Sequence, residues 1–294
     1  MKIHAIQTGM VRIKTRQRRG AGKGLARQLS MLLDLAWTEW LPIYAWAIEH
    51  PEGVIVVDTG ETARAAVPGY FPRWHPYFRW GVQFDVLPEQ EMGAQLRQLG
   101  IGSNDVRTVI LTHLHTDHAG GVSAFSQSQI FVSAADYKLA QGFGGELRGY
   151  LPRHLPAWFA PQPLTFEPTP FGTFEASCRV TNAGDVIAVP TPGHTPAHVS
   201  VIVLYNGVSF FLAGDATYSE TLLVAQSVDG VSPDERVARQ TIQKILQYAR
   251  HCPTVYLPSH DPASRDRLEQ RTTLKVGAES TIAHAEDQEG RRKP

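Results

Sequence analysis

The spacing of apolar and polar positions changes several times along the chain, and each change marks an element. Residues 3–8, 43–48 and 54–58 form short apolar runs that read as strands. A turn over 49–53 containing Pro51 joins the last two, so these are expected to pair as a hairpin. From Pro88 the period lengthens. Met92, Leu96 and Leu99 recur at helical spacing, with Pro88 opening the helix and Gly100 placed to end it. The extended run Val106-Arg107-Thr108-Val109-Ile110-Leu111 starts six residues later. A second helix is expected over 233–249, with Val237, Ile242, Ile245 and Leu246 on one side, and a strand over 254–257. Further apolar runs at 186–189 and 209–212 complete an alternation of strands and helices, which makes the chain α/β.

Two segments break this pattern. Between 70 and 84 stand Tyr70, Phe71, Trp74, Tyr77, Phe78, Trp80 and Phe84, a density of rings that needs a surface to cover. The proline-rich stretch 142–172 adds Phe143, Tyr150, Trp158 and Phe159, and long loops with apolar content of their own more often wall a site than space two elements.

Composition narrows the partners. Lys plus Arg and Asp plus Glu balance at 28 each in 294 residues, so no overall field favours nucleic acid or an anionic membrane, and the expected partner is a small molecule that is not polyanionic. One domain over 1–275 is expected, with a polar, disordered tail over 276–294. Cys178 and Cys252 are too few for a disulfide framework and read as buried small hydrophobes. No apolar signal core stands at the amino terminus and no stretch is apolar enough to span a bilayer, so the expected location is the cytoplasm. The basic stretch 12–27 lacks interleaved aromatic residues and reads as a solvated arm or a subunit contact, which leaves a homodimer open.

The chemistry is concentrated in Thr112-His113-Leu114-His115-Thr116-Asp117-His118-Ala119-Gly120-Gly121. An extended chain alternates its faces, so His113 and His115 point the same way and offer two imidazoles to one metal ion. Asp117 and His118 lie past a bend, expected to be made by Gly120-Gly121, and are aimed elsewhere, at a second ion. His194, Asp215 and His260 each follow an apolar run, so strands deliver them at their carboxyl ends, where sites in α/β folds gather. Five imidazoles and two carboxylates suit a pair of borderline-soft divalent ions.

This ordered set, with Val54-Ile55-Val56-Val57-Asp58-Thr59-Gly60 upstream, resembles the metal signature of the metallo-β-lactamase superfamily. The resemblance implies a four-layer αβ/βα sandwich. It also supports assigning His113, His115 and His194 to one Zn2+ and Asp117, His118 and His260 to another, bridged by Asp215; Co, Fe or Mn are alternatives at either position. Within the superfamily the chain is most similar to the N-acyl homoserine lactonases, in which a tyrosine follows the bridging aspartate at the spacing of Tyr218 here. The implied reaction is opening of the lactone ring by a metal-bridging hydroxide. Tyr218 would polarise the carbonyl, Asp117 would relay the proton, and the rings over 70–84 would cover the acyl chain.

Asp58 either starts a tight turn or accepts the free ring N–H of a metal-bound histidine. His198 is read as a structural or supporting residue, because Pro196 disfavours a helix that would pair it with His194. Rival activities on the same residues are thioester cleavage as in glyoxalase II, organophosphate triester cleavage, and a mononuclear-iron persulfide dioxygenase. A non-catalytic metal-binding module is the remaining alternative. β-Lactamases with a cysteine at the second metal differ at Asp215.

Overall fold

In the computed structural model, which describes residues 1–276, two β-sheets lie face to face. The tail expected over 276–294 falls, beyond Val276, outside the described residues. The first sheet runs, edge to edge, Val82–Asp85, Lys2–Ile13, Leu41–Glu49, Val54–Val57, Val106–Ile110, Gln129–Ser133, Gln162–Leu164. The expected hairpin forms, with Trp46 opposite Val57 and Ile48 opposite Ile55, and the strands after it pair in parallel. The second sheet runs Thr254–Pro258, Val208–Gly214, Val199–Tyr205, Val186–Pro190, Cys178–Arg179.

Side-chain alternation along Leu41–Glu49 shows why the layers stack. Tyr44, Trp46 and Ile48 face the second sheet and meet Val199, Val201, Phe210 and Leu212. Ala45 and Ala47 face the other way, against Met92, Leu96, Val122 and Phe125 of the outer helical layer. On the far side, Ile187, Val189, Ile202 and Phe211 pack on Ala238, Ile242, Ile245 and Leu246 of helix Glu235–His251. The order is helix, sheet, sheet, helix, each sheet buried on both faces.

The sequence-predicted helices appear with altered ends. Glu235–His251 begins two residues late because the Asp234 carboxylate accepts the N–H groups of Arg236 and Val237. The helix expected from Pro88 divides into a tight turn, Pro88–Gln90, and an α-helix, Met92–Gln98, after Glu91 leaves helical geometry. Gly100 ends it at φ +78°. Cys178 and Cys252 are half-buried free thiols rather than core residues. No described helix is long and apolar enough to cross a membrane.

The basic stretch 12–27 is a solvated arm only in part. Arg16, Arg19 and Lys23 face solvent, but Lys14, Gln17 and Arg27 are buried. The Gly230 N–H donates to the Gln17 carbonyl at 2.7 Å, and the Arg27 guanidinium donates to the carbonyls of Asp229 and Ser232. Packing against the 228–232 loop overrides what local charge alone suggested.

Candidate metal centre and active site

All seven side chains singled out in the sequence meet at one end of the two sheets. Past Val106–Ile110 the chain leaves the sheet, and His113 Nε2 approaches His115 Nδ1 to 3.0 Å. His194, beyond Val186–Pro190, brings its Nε2 to 3.1 Å from the same His115 nitrogen. Asp215 leaves Val208–Gly214 between the groups: its Oδ2 lies 3.4 Å from His194 Nε2, and its Oδ1 3.2 Å from His118 Nε2 and 3.4 Å from His260 Nε2. Asp117 Oδ2 closes the far side at 3.4 Å from His260 Nε2. Three overlapping donor sets result: His113, His115, His194; His113, His118, Asp215; and Asp117, His118, His260.

The bend before Asp117 is not made by the glycine pair. Gly120 has φ −60° and Gly121 is not in the left-handed region. The chain turns instead by starting helix Thr116–Ala119 straight after His115. The glycines serve close packing, since a Cβ at Gly121 would stand 2.3 Å from the Thr59 carbonyl oxygen.

The outer nitrogens fix the rings. His118 Nδ1 faces Asp58 Oδ2 at 2.8 Å, His194 Nδ1 faces Asp229 Oδ2 at 2.9 Å, and His260 Nδ1 faces the Pro42 carbonyl at 2.9 Å. These partners only accept, so each Nδ1 carries a proton and each ring, when neutral, turns a lone pair inward from Nε2. His113 joins them by donating to the Thr112 hydroxyl at 3.1 Å, which itself donates to Asp58. Asp58 therefore does more than start a turn. It sits at φ +61° and also accepts the Thr112 backbone N–H at 2.8 Å. His198 is a supporting residue: its Nε2 accepts the Asp215 backbone N–H at 3.1 Å, and Gly214 leaves room for its ring.

Electrostatics divide the five imidazoles into two groups. Burial holds His113 and His115 well below the ordinary histidine value, reinforced by the neighbouring imidazoles. Burial acts the same way at His118, His194 and His260, but the Asp215 carboxylate outweighs it, aided by Asp58 at His118 and by Asp229 at His194. All three are raised, His118 well above its usual range. Burial works against ionised Asp215, yet His260, His118 and His194 hold it well below the usual carboxylate range.

These residues fit divalent metal. His113 Nε2 and His194 Nε2 both face His115 Nδ1, which has at most one proton to share between them. Their spacing approaches the ~3.3 Å edge of a tetrahedron with metal–nitrogen bonds of ~2.0–2.1 Å. His118 Nε2 and Asp215 Oδ1 are buried without a hydrogen-bond partner among the described residues, an expensive arrangement unless a cation joins them.

A cavity of about 580 Å³ opens beside the cluster, with His115, Asp117, His194, Asp215 and His260 in its floor. Its apolar wall includes Val11, Ile13, Met31, Leu32, Phe78 and Phe84. Tyr218 also lines it, 3% exposed, with its ring stacked on His260 at 5.6 Å. Burial, then the Asp215 charge, raises its phenol well above the usual range, so the hydroxyl keeps its proton. The ring cluster over 70–84 contributes selectively. Phe71 stacks on Phe78 and Phe84 behind the wall, Trp80 lines only a smaller neighbouring cavity, and Trp74 is half exposed against Phe143, away from both. In the 142–172 stretch, Leu147, Arg148, Gly149 and Tyr150 form part of the wall.

Residues 38–277 match the family described as the Metallo-beta-lactamase superfamily. The chain belongs to that superfamily. Among superfamily relatives, the N-acyl homoserine lactonase AttM of Rhizobium radiobacter is 28% identical over 233 residues, 76% of this chain and 82% of that protein. A mutant of B. thuringiensis AiiA, with N-decanoyl-L-homoserine bound at its active site, shares the fold at a TM-score of 0.70 and 21% identity, covering 93% of this chain and 96% of that one. AidC, a dizinc quorum-quenching lactonase in complex with a product, shares it at 0.60 and 15% identity, covering 90% and 88%.

Several residues that hold this superfamily site had no signal in the sequence. Asp229 reads locally as a turn residue before glycine, and Asp136, which accepts the Leu114 N–H and the Tyr150 hydroxyl, reads as an ordinary helix residue. Gln17 was hidden among arginines.

Proposed function

We propose that the chain is a dinuclear metal hydrolase that opens the ring of N-acyl homoserine lactones, with zinc as the working metal. Superfamily membership and lactonase relatives make it a metal-dependent hydrolase. The observation carrying the finer reading is the His113, His115, His194 and the Asp117, His118, His260 donor sets, with Asp215 within 3.4 Å of a member of each, on the floor of an apolar cavity that Tyr218 also lines. His113, His115 and His194 would hold one ion, Asp117, His118 and His260 the other, and Asp215 both. Ions held there would supply a nucleophilic water of lowered pKa and Lewis-acid polarisation.

The remaining work falls to the chain. Tyr218, kept protonated, donates to the carbonyl oxygen as negative charge develops on it, a contribution typically of ~3–4 kcal/mol per donor. Asp117, partly exposed to the cavity, carries the proton that the ring-opened hydroxyl must receive. Asp58, Asp229, Thr112 and the Pro42 carbonyl hold the imidazoles in the tautomer that faces the metals. The apolar wall takes the acyl chain and excludes bulk water.

Metal-loaded protein challenged with an acyl homoserine lactone, a thioester, a phosphotriester and a β-lactam tests this. Acid release from the lactone, faster than cleavage of the others, is expected. Cleavage of the thioester or phosphotriester with the lactone left intact would overturn it.

A further inference from the structure

Helix Gly24–Leu32 and the residue after it leave three leucines uncovered. Leu29, Leu32 and Leu33 stand three and four positions apart, so they share one face, and they are 57%, 50% and 76% exposed. Leu32 also lines the main cavity, and it shares the wall of the smaller one with Trp80, itself more than half exposed. Leu147, equally exposed, lines the main cavity too, and the ring that faces its carbonyl at 3.4 Å belongs to His75, the residue after Trp74. Trp74 lies 5.5 Å from the Phe143 ring, and both are at least half exposed. Single exposed apolar residues are ordinary, but a group gathered at one cavity mouth marks an interaction surface.

Charge singles out the partner. The three segments that carry this patch, 12–35, 70–81 and 142–149, hold ten Lys and Arg against two Asp and Glu; the balance of 28 each over the whole chain conceals this local excess. Of the two acids, Glu146 pairs with Arg153, and Asp34 accepts from the Thr15 hydroxyl and the N–H groups of Arg16 and Ala36. Arg73, Arg79 and Arg148 are exposed and face no carboxylate among the described residues, and Arg79 lies over the Trp80 ring at 4.8 Å. A second copy applied here about a two-fold axis brings like charges together. Anionic lipid matches both features, because its acyl boundary takes leucine and tryptophan side chains while its phosphates take the arginines.

We propose that this collar docks on an anionic bilayer surface, with Leu29, Leu32, Leu33 and Trp80 at the acyl boundary and Arg73, Arg79 and Arg148 on the phosphates, so that the cavity opens toward the lipid. An amphiphile whose tail already lies in that layer then passes to the apolar wall at Met31, Leu32 and Phe78 without exposing the tail to water. What enters the cavity rests on the lactonase reading; the docking itself does not.

Co-sedimentation of the metal-loaded protein with vesicles tests this, using pure phosphatidylcholine and phosphatidylcholine with about one-third phosphatidylglycerol. Wild type should pellet with the anionic vesicles, less as salt is added, and several-fold more weakly with the neutral ones. Leu29→Ser combined with Leu33→Ser should lower the partition coefficient roughly ten-fold or more. Arg73→Gln combined with Arg79→Gln should lower it roughly twenty- to thirty-fold, about five-fold per arginine. None of these four side chains lines the main cavity, and circular dichroism checks that each double variant is folded. Wild type left in the supernatant by the anionic vesicles overturns the proposal, as does equal binding to both compositions or undiminished binding by either folded double variant. A wild-type dimer that Leu29→Ser with Leu33→Ser dissociates, without vesicle binding, makes a second copy the occupant and overturns it too. No lactone is present in the assay, so failure here leaves the lactonase reading intact, and failure to open lactones leaves the docking result intact.

Discussion

Asp58→Asn changes one atom beside the metal centre while keeping its shape. The residue stands at φ +61°, which asparagine tolerates as well as aspartate, so the backbone need not move. Asp58 Oδ1 accepts the Thr112 backbone N–H, and Oδ2 accepts both the Thr112 hydroxyl and the His118 Nδ1–H, each at 2.8 Å. An asparagine keeps an oxygen on the Thr112 N–H only by turning its NH2 toward His118. A donor in that place forces the ring proton onto Nε2, where it points at Asp215 and His260 instead of offering a lone pair. Outer partners of this kind are typically worth ~10–100-fold in metal affinity, or about 1.4–2.8 kcal/mol. Zinc titration against a chromophoric chelator measures this. One of two affinities should fall within that range and turnover should fall with it, while circular dichroism shows the fold intact. Two unchanged affinities in folded Asp58→Asn would refute the assignment of Asp58 as the group that sets the His118 tautomer.

Tyr218→Phe should lower lactone kcat at least ten-fold and up to the roughly hundred- to thousand-fold that ~3–4 kcal/mol corresponds to, with metal content unchanged; an unaltered turnover number returns Tyr218 to a packing role. KM should fall as the acyl chain lengthens from four to twelve carbons, by up to ~0.8 kcal/mol in binding per buried methylene, and Met31→Ala should flatten the long-chain end because Met31 lines both cavities. A flat profile in both proteins places the chain elsewhere. Burial pushes the Glu61 carboxyl up to about 8, against the lowering effect of hydrogen bonds from Thr116 and the Thr62 N–H. The folded state thus holds a proton that the unfolded state loses above the ordinary glutamate value, and the associated stability is lost as pH rises toward 8. The melting temperature of wild type relative to Glu61→Gln should therefore decline between pH 5 and pH 8, and a constant difference would contradict this.

How much the sequence disclosed follows from the range of each interaction. His113, His115, Asp117 and His118 were legible because their spacing and the extended chain before them are local. His194, Asp215 and His260 were legible because each closes an apolar run that could only be a buried strand. Asp229 and Gln17 were not, since each matters through a partner far along the chain: Asp229 through His194 and Gln17 through Tyr218. The Gly120-Gly121 pair signals a turn in the sequence because glycine usually marks one, whereas the constraint is a backbone lying against it. Which rings of the cluster over 70–84 reach the cavity depends on how that segment folds back. Phe78 and Phe84 reach it and Trp74 does not.

Elemental analysis of the purified protein tests the two-metal centre most directly. Two transition-metal ions per chain are expected, zinc foremost with Co, Fe or Mn able to substitute, because Asp215 stands between His194 on one side and His118 and His260 on the other. One iron per chain, with oxygen consumed on addition of glutathione persulfide, would contradict it.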